Sequence, residues 1–168
     1  METTACYFEE KQRMNQWFIW VVLLIINGIT AVSVYVQIIE KQPVGNNPIS
    51  DVGLIILAVF MVAFTVFILS VRLETRIFED HIAFRLSPFH LKARRIERDQ
   101  LKIIDVRKYK PILEYGGWGL RGMGKNVAYN ISGNQGIQLE LHNGKRILLG
   151  TRQPDAARAA LDAAGYRT

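Results

Sequence analysis

Two stretches of this chain carry no charged side chain, residues 17–39 and residues 52–71. At about 1.5 Å per helical residue, each is long enough to cross a hydrocarbon core of roughly 30 Å. Residues 72–168 are different: polar, basic and patterned with a period of two. The expected organisation is therefore an N-terminal segment (1–16), a first span (17–39), a short external loop (40–51), a second span (52–71) and one soluble domain (72–168). Ninety-seven residues suffice for a single core and are too few for two. A cleaved signal sequence is the competing reading of the first span. Signal cores run to about 7–15 apolar residues and no second span follows them, so an uncleaved anchor is expected.

Basic residues beside the spans set the expected orientation. Lys11 and Arg13 precede the first span, the connecting loop offers only Lys41, and Arg72, Arg76 and Arg85 follow the second. The excess at the two outer flanks puts both termini in the cytoplasm and the loop outside, in a cytoplasmic (inner) membrane protein of multi-pass type. Trp17 and Trp20 mark the cytoplasmic end of the first span, where an indole ring rests among headgroups. From residue 72 onward there are 18 Lys and Arg against 10 Asp and Glu, so the domain carries the positive charge. The lone cysteine, Cys6, excludes an intrachain disulfide and precedes the apolar run, unlike a lipoprotein cysteine.

Neither span holds Asp, Glu, Lys, Arg or His, which argues against a pump or coupled transporter. Asn27, Thr30, Ser33 and Gln37 recur every three or four residues along one face of the first span. Such a stripe suits helix–helix contact, with Ala58 and Thr65 as the answering residues in the second span. Packing within the hairpin, contact with another membrane protein or a second copy, and a polar path are the readings it leaves.

In the soluble part, Leu73, Thr75 and Ile77, then Ile82, Phe84 and Leu86, alternate with polar or small neighbours around Glu79-Asp80-His81, predicting a hairpin. Further strands are expected at residues 93–97, around Ile104 and Val106, and at 127–131. The last hairpin, GIQLELHNGKRILLG, can be registered from its side chains. A three-residue loop His142-Asn143-Gly144 sets Leu139 opposite Ile147 and Ile137 opposite Leu149, so four large apolar residues share one face. It also puts Gly144 at the left-handed position of a bulged type I turn. Pro154, Asp155 and the spacing of Ala157, Ala160, Leu161 and Ala164 then predict a terminal amphipathic helix. The expected fold class is α+β: a transmembrane hairpin, then about seven mostly antiparallel strands in a small, partly open barrel capped by a helix.

Two spans, a run of about seven strands and a helix introduced by GTRQP resemble the bacterial pleckstrin-homology-like membrane proteins. Within the domain, YGGWGLR followed by NVAYNISGNQGIQLELHNGKRILLGTRQP resembles a stretch of small two-span members of that group. The resemblance implies a cytoplasmic, membrane-proximal binding module and implies no catalytic residue.

Several motifs tempt and fail. Gly117 to Gly122 fits G-x-G-x-x-G and Gly119 to Lys125 fits G-x-x-x-x-G-K, but both need a following helix whose N–H groups hold phosphate. The sequence after them, NVAYNI, is strand-like, so these glycines are expected to form a tight loop or bulge, with Trp118 beside them as a core residue or, failing that, an exposed contact. His81, His90 and His142 have no ligand-like spacing, so no metal or cofactor is expected, and Asn130-Ile131-Ser132 would lie in the cytoplasm, out of reach of glycosylation. No serine sits in a nucleophile elbow, and an enzyme is not expected.

The feature with functional promise is a basic run: Arg94, Arg95, Arg98, Lys102, Arg107, Lys108 and Lys110. It reads either as a solvated positive-inside face or as a ring of cations for anionic headgroups or an acidic partner. Nucleic acid is not expected, because the run lacks interleaved aromatic residues. The function this predicts is a non-enzymatic membrane protein presenting a binding or scaffold domain, with membrane lipids or another membrane protein as partner. The alternative is a small accessory or regulatory subunit of a transport or secretion complex, recognised through Asn27, Thr30, Ser33 and Gln37.

Overall fold

The computed structural model describes residues 5–14 and 16–166. Residues 1–4 and 15 of the expected N-terminal segment, and residues 167–168 of the expected domain, lie outside the described residues. The chain divides into two compact units, residues 15–70 and a second made from residues 1–14 together with 71–168.

The first unit is a helical hairpin. Helix α1 (Trp17–Val34) runs on through a π-helical turn (Tyr35–Ile39), and α2 (Asp51–Ser70) returns. Both are long and apolar enough to cross a membrane. The boundaries fall within one residue of the two uncharged runs, as expected when apolar length sets the span.

The second unit begins earlier than the sequence suggested. Strand β1 (Cys6–Arg13) pairs antiparallel with β2 (Arg72–Phe78), from Arg13 opposite Arg72 to Cys6 near Phe78. The expected domain of residues 72–168 therefore gains an N-terminal strand from across the helical hairpin. Phe8, Glu10 and Gln12 of β1 point inward and are buried, while Glu9, Lys11 and Arg13 point out. Two of the three inward residues are polar, which hid the alternation.

Strand β3 (His81–Ser87) follows the predicted hairpin turn and β4 (Arg94–Glu97) closes a four-stranded antiparallel sheet in the order β1-β2-β3-β4. Residues Arg98–Gln100 form one 3-10 turn where a turn was expected. Strand β5 (Leu101–Lys108) opens the second sheet. A short helix α3 (Pro111–Tyr115) leads to β6 (Gly119–Met123), β7 (Asn126–Asn130), β8 (Gln135–Leu141) and β9 (Arg146–Gly150), in the order β5-β8-β9-β7-β6. There are nine strands among the described residues rather than about seven. The two unforeseen ones are β1 and β6, the latter inside the glycine-rich stretch. The β7–β9 ladder is parallel, so the second sheet is mixed.

The β8–β9 register is the one deduced from side-chain pairing: Leu139 faces Ile147 and Ile137 faces Leu149. Gly144 has φ +77° and its N–H donates to the Leu141 carbonyl at 2.9 Å. Helix α4 (Pro154–Ala163) buries Ala157, Ala160 and Leu161 against one core shared by both sheets, in which Leu73, Ile77, Ile82, Leu86, Ile137 and Leu149 are fully enclosed. Burying each such aliphatic side chain contributes on the order of 1.5–3 kcal/mol. A second, smaller cluster of Tyr109, Tyr115, Ala128 and Leu148 lies apart from it.

Candidate functional site

The seven cations of the basic run do different work. Arg98 is structural: its guanidinium donates to the carbonyls of Glu79 and Ala164 at 3.2 and 3.1 Å and to that of Gly165, and it lies 4.9 Å from the centre of the Tyr166 ring. It thus satisfies the carbonyls that end α4. Arg107 bonds Glu114 at 2.9 Å and the Gln138 side chain at 3.0 Å, and this pairing holds the Glu114 carboxyl below its usual range. Lys102 lies 3.8 Å from Glu140. Lys108 and Lys110 are exposed at the far end of β5. Of the seven, Arg98 and Arg107 face backbone carbonyls and side-chain partners within the domain.

Arg94 and Arg95 remain, at the start of β4, an edge strand of its sheet. Together with Lys145 they line an open cleft of about 360 Å³. Its floor is apolar, from Phe84, Ile96, Leu141 and Ile147, and Gln100, His142 and Asn143 supply neutral polar groups. No carboxylate, serine, threonine or cysteine lines it among the described residues. Arg94 is steadied by donating to the Tyr129 hydroxyl at 3.1 Å. Strand β4 is terminal in its sheet, and a terminal strand is where a further strand can add. An extended segment carrying acidic and apolar side chains in alternation would satisfy cations, floor and strand edge together. Sequence reasoning missed Lys145, Gln100 and His142. The three-residue turn it deduced contained the signal, because that turn carries His142 and delivers Lys145 beside it, and His142 N–H donates to the Gln100 carbonyl at 3.0 Å.

Register fixes where the cleft lies. Arg13 partners Arg72, and Arg72 partners Ser87, so the chain leaves β1 and rejoins β2 at the sheet end where β3 finishes. His81 partners Glu97 at the opposite end, and Gln100 and the β8–β9 turn follow from there. The cleft's lining extends from Arg94, which follows the β3–β4 loop, to Gln100 and the β8–β9 turn at that opposite end.

The polar stripe of α1 is turned toward α2. Asn27 Nδ2 donates to Thr65 Oγ1 at 3.0 Å, and Gln37 Nε2 donates to the Ile49 carbonyl at 2.7 Å and to Asp51 at 2.8 Å. Thr30 and Ser33 bond carbonyls one turn back, at Ile26 and Ile29. Asn27, with Thr65 as foreseen, and Gln37 are thus engaged within the hairpin.

The remaining motifs resolve simply. The glycine-rich stretch continues into the β6–β7 hairpin, with Gly122 at φ +83°, and no helix follows it. Trp118 is half-buried and not in either core cluster; its indole N–H donates to the Gly133 carbonyl at 2.9 Å. Of the two readings of Trp118, the core one is corrected. Asn130 is buried, accepting from Gly119 N–H at 2.9 Å and donating to the Tyr109 hydroxyl at 3.0 Å. Ligand atoms of Asp80, His81 and Glu97 lie within 4.8 Å of one another, a cluster that cross-strand pairing assembles and sequence spacing could not show. His81 Nδ1 is already 2.8 Å from Asp80 and both carboxylates are exposed, so the trio behaves as a hydrogen-bonded pair with a neighbouring acid. The fold thus brings Arg94 and Arg95 together with Lys145, and leaves Lys108 and Lys110 elsewhere. No family model and no curated protein matches this chain.

Proposed function

We propose that this chain is a non-enzymatic, membrane-anchored binding module. In this reading α1 and α2 form the anchor in a cytoplasmic membrane, and the nine strands with α4 form a pleckstrin-homology-like domain on the cytoplasmic face. Two packed sheets with a C-terminal helix against their shared core support the fold assignment; the inserted β6–β7 hairpin, with its parallel ladder, is the departure from a seven-strand plan. The Arg13–Arg72 pairing supports a hairpin whose two ends emerge on one side, and the basic flanks support the cytoplasm as that side.

The observation that carries the binding reading is the cleft of Arg94, Arg95 and Lys145, with an apolar floor and no carboxylate in its described lining. Its apolar floor, set beside the edge strand β4, favours an acidic and apolar extended segment of a partner protein over headgroups alone. The accessory-subunit alternative is disfavoured, since Asn27 and Gln37 spend their amide donors within the hairpin.

The test uses the full chain in neutral-lipid nanodiscs and a fluorescent peptide alternating glutamate with phenylalanine. Binding should weaken as salt rises and be lost in the Arg95→Glu, Lys145→Glu double variant, because attraction between exposed charges decays over about 8 Å at physiological ionic strength. Equal binding by that variant would sink the cleft reading. Orientation is tested by a reporter active only outside the cytoplasm. It should be silent after Thr168 and active between Asn46 and Asn47.

A further inference from the structure

We infer that the β3–β4 loop, residues 88–93, dips into the surface of the membrane that holds the helices, with Leu91 as its apolar tip. This rests on reading α1 and α2 as spans. The loop leaves β3 at Ser87, whose ladder partner is Arg72, and Arg72 in turn partners Arg13. These two arginines are the last ladder positions before the chain departs for α1 and after it returns from α2. The loop therefore projects from the same sheet end that is stitched to the anchor.

Its side chains suit a bilayer surface and not water. Leu91 is 88% exposed and Phe89 49% exposed, while His90 between them is buried. The loop is held in that pose. His90 N–H donates to the Leu86 carbonyl at 2.8 Å, His90 Nδ1 accepts from Leu86 N–H at 3.3 Å, and Arg85 donates to the His90 carbonyl at 3.3 Å. With His90 turned in, its two apolar neighbours are turned out. Exposed Lys92 beside them and exposed Arg13 at the outer strand end add positive charge, which suits a surface of anionic headgroups, while exposed Arg72 pairs with Glu74 at 3.2 Å. An apolar tip ringed by cations is the pattern by which proteins seat in the headgroup region, and here tethering supplies the proximity.

Depth-dependent quenching tests this on the full chain in nanodiscs of mixed neutral and anionic lipid. In a Cys6→Ser background, an environment-sensitive fluorophore is attached in turn through Val59→Cys in α2, Leu91→Cys in the loop and Ile103→Cys on β5. Ile103 is 49% exposed but lies two residues from the start of β5, near the opposite sheet end, and serves as the apolar comparison. The expected result is blue-shifted emission and quenching by acyl-chain quenchers at positions 59 and 91, with neither at 103. Quenching at 59 but not at 91, or at 91 and 103 alike, would overturn the loop contact while leaving the anchor intact. An unquenched label at 59 would overturn the anchor itself, and the loop contact with it.

Discussion

The Thr151 hydroxyl donates a 2.6 Å hydrogen bond to Oε2 of Glu10, joining residues 141 positions apart. The other oxygen of Glu10 accepts from the Arg152 N–H at 2.9 Å, and the Arg152 guanidinium reaches the Arg13 carbonyl and Ser132 Oγ. The GTRQP segment is thus the clasp that holds β1 in the domain. Glu10→Ala would leave a buried hydroxyl and a backbone N–H without an acceptor. A loss of about 1–3 kcal/mol is expected, read from thermal melts of the full chain in detergent. Glu10→Asp should recover only part of that loss, since the shorter side chain cannot reach both donors. A fragment of residues 72–168, lacking β1, should self-associate through the bared edge of β2, which size-exclusion chromatography would reveal.

Two glycines with positive φ should respond differently to a methyl group. A Cβ on Gly144 meets nothing within 4 Å, whereas one on Gly122 would lie 2.1 Å from the Asn126 carbonyl oxygen. Gly144→Val should cost about 1–3 kcal/mol from backbone strain alone. Gly122→Ala should cost more than Gly144→Ala, because the β6–β7 ladder must also shift. Asn143→Asp should be nearly silent, since either side chain can accept from Lys145 N–H. Equal melting temperatures for the two alanine variants would contradict the β6–β7 register.

The Tyr166 hydroxyl is buried without a hydrogen-bond partner, and burial pushes its pKa up to about 12. Tyr166→Phe keeps the ring under Arg98 and removes the unsatisfied group. It should leave the melting temperature unchanged or raised at neutral pH. Arg98→Ala should lower it clearly, by freeing the carbonyls of Glu79, Ala164 and Gly165.

Burial, with the Arg94 charge nearby, holds the His90 imidazole below its usual pKa. The unfolded chain therefore binds this proton more readily than the folded one. The stabilisation is complete above the unfolded value of about 6.5 and is lost as pH falls below it. A His90→Gln variant should show a flatter melting temperature between pH 7 and 5 than the parent chain.

Much of this fold could be read from the chain. Uncharged length set both helices, period-two alternation set β2 and β3, and volume matching set the β8–β9 turn. Strand β1 escaped because Glu10 and Gln12 face inward, so the alternation of apolar and polar residues breaks down where the clasp is built. Strand β6 escaped because Gly119 and Gly122 read as punctuation, although in the sheet they are strand residues at positive φ. The basic run could not be sorted into partnered and available cations for a different reason. Charge can be counted along a sequence, but whether Arg98 meets carbonyls or solvent depends on α4, which arrives some 60 residues later. The cleft itself needed Lys145 from another sheet, and only the registered turn hinted at it.

The split origin of the first sheet has a consequence for biosynthesis. Strand β1 leaves the ribosome with no partner, and β2 follows only after both helices have been made. At 5–20 residues per second, the roughly 60 intervening residues mean an unpaired wait of several seconds. When β2 emerges, the ladder can zip only if both strands are on the same side of whatever the helices have entered. On the membrane reading proposed above, closure of this sheet would act as a checkpoint on insertion: a chain in which only one of the two helices has crossed holds β1 and β2 on opposite sides and cannot complete its domain.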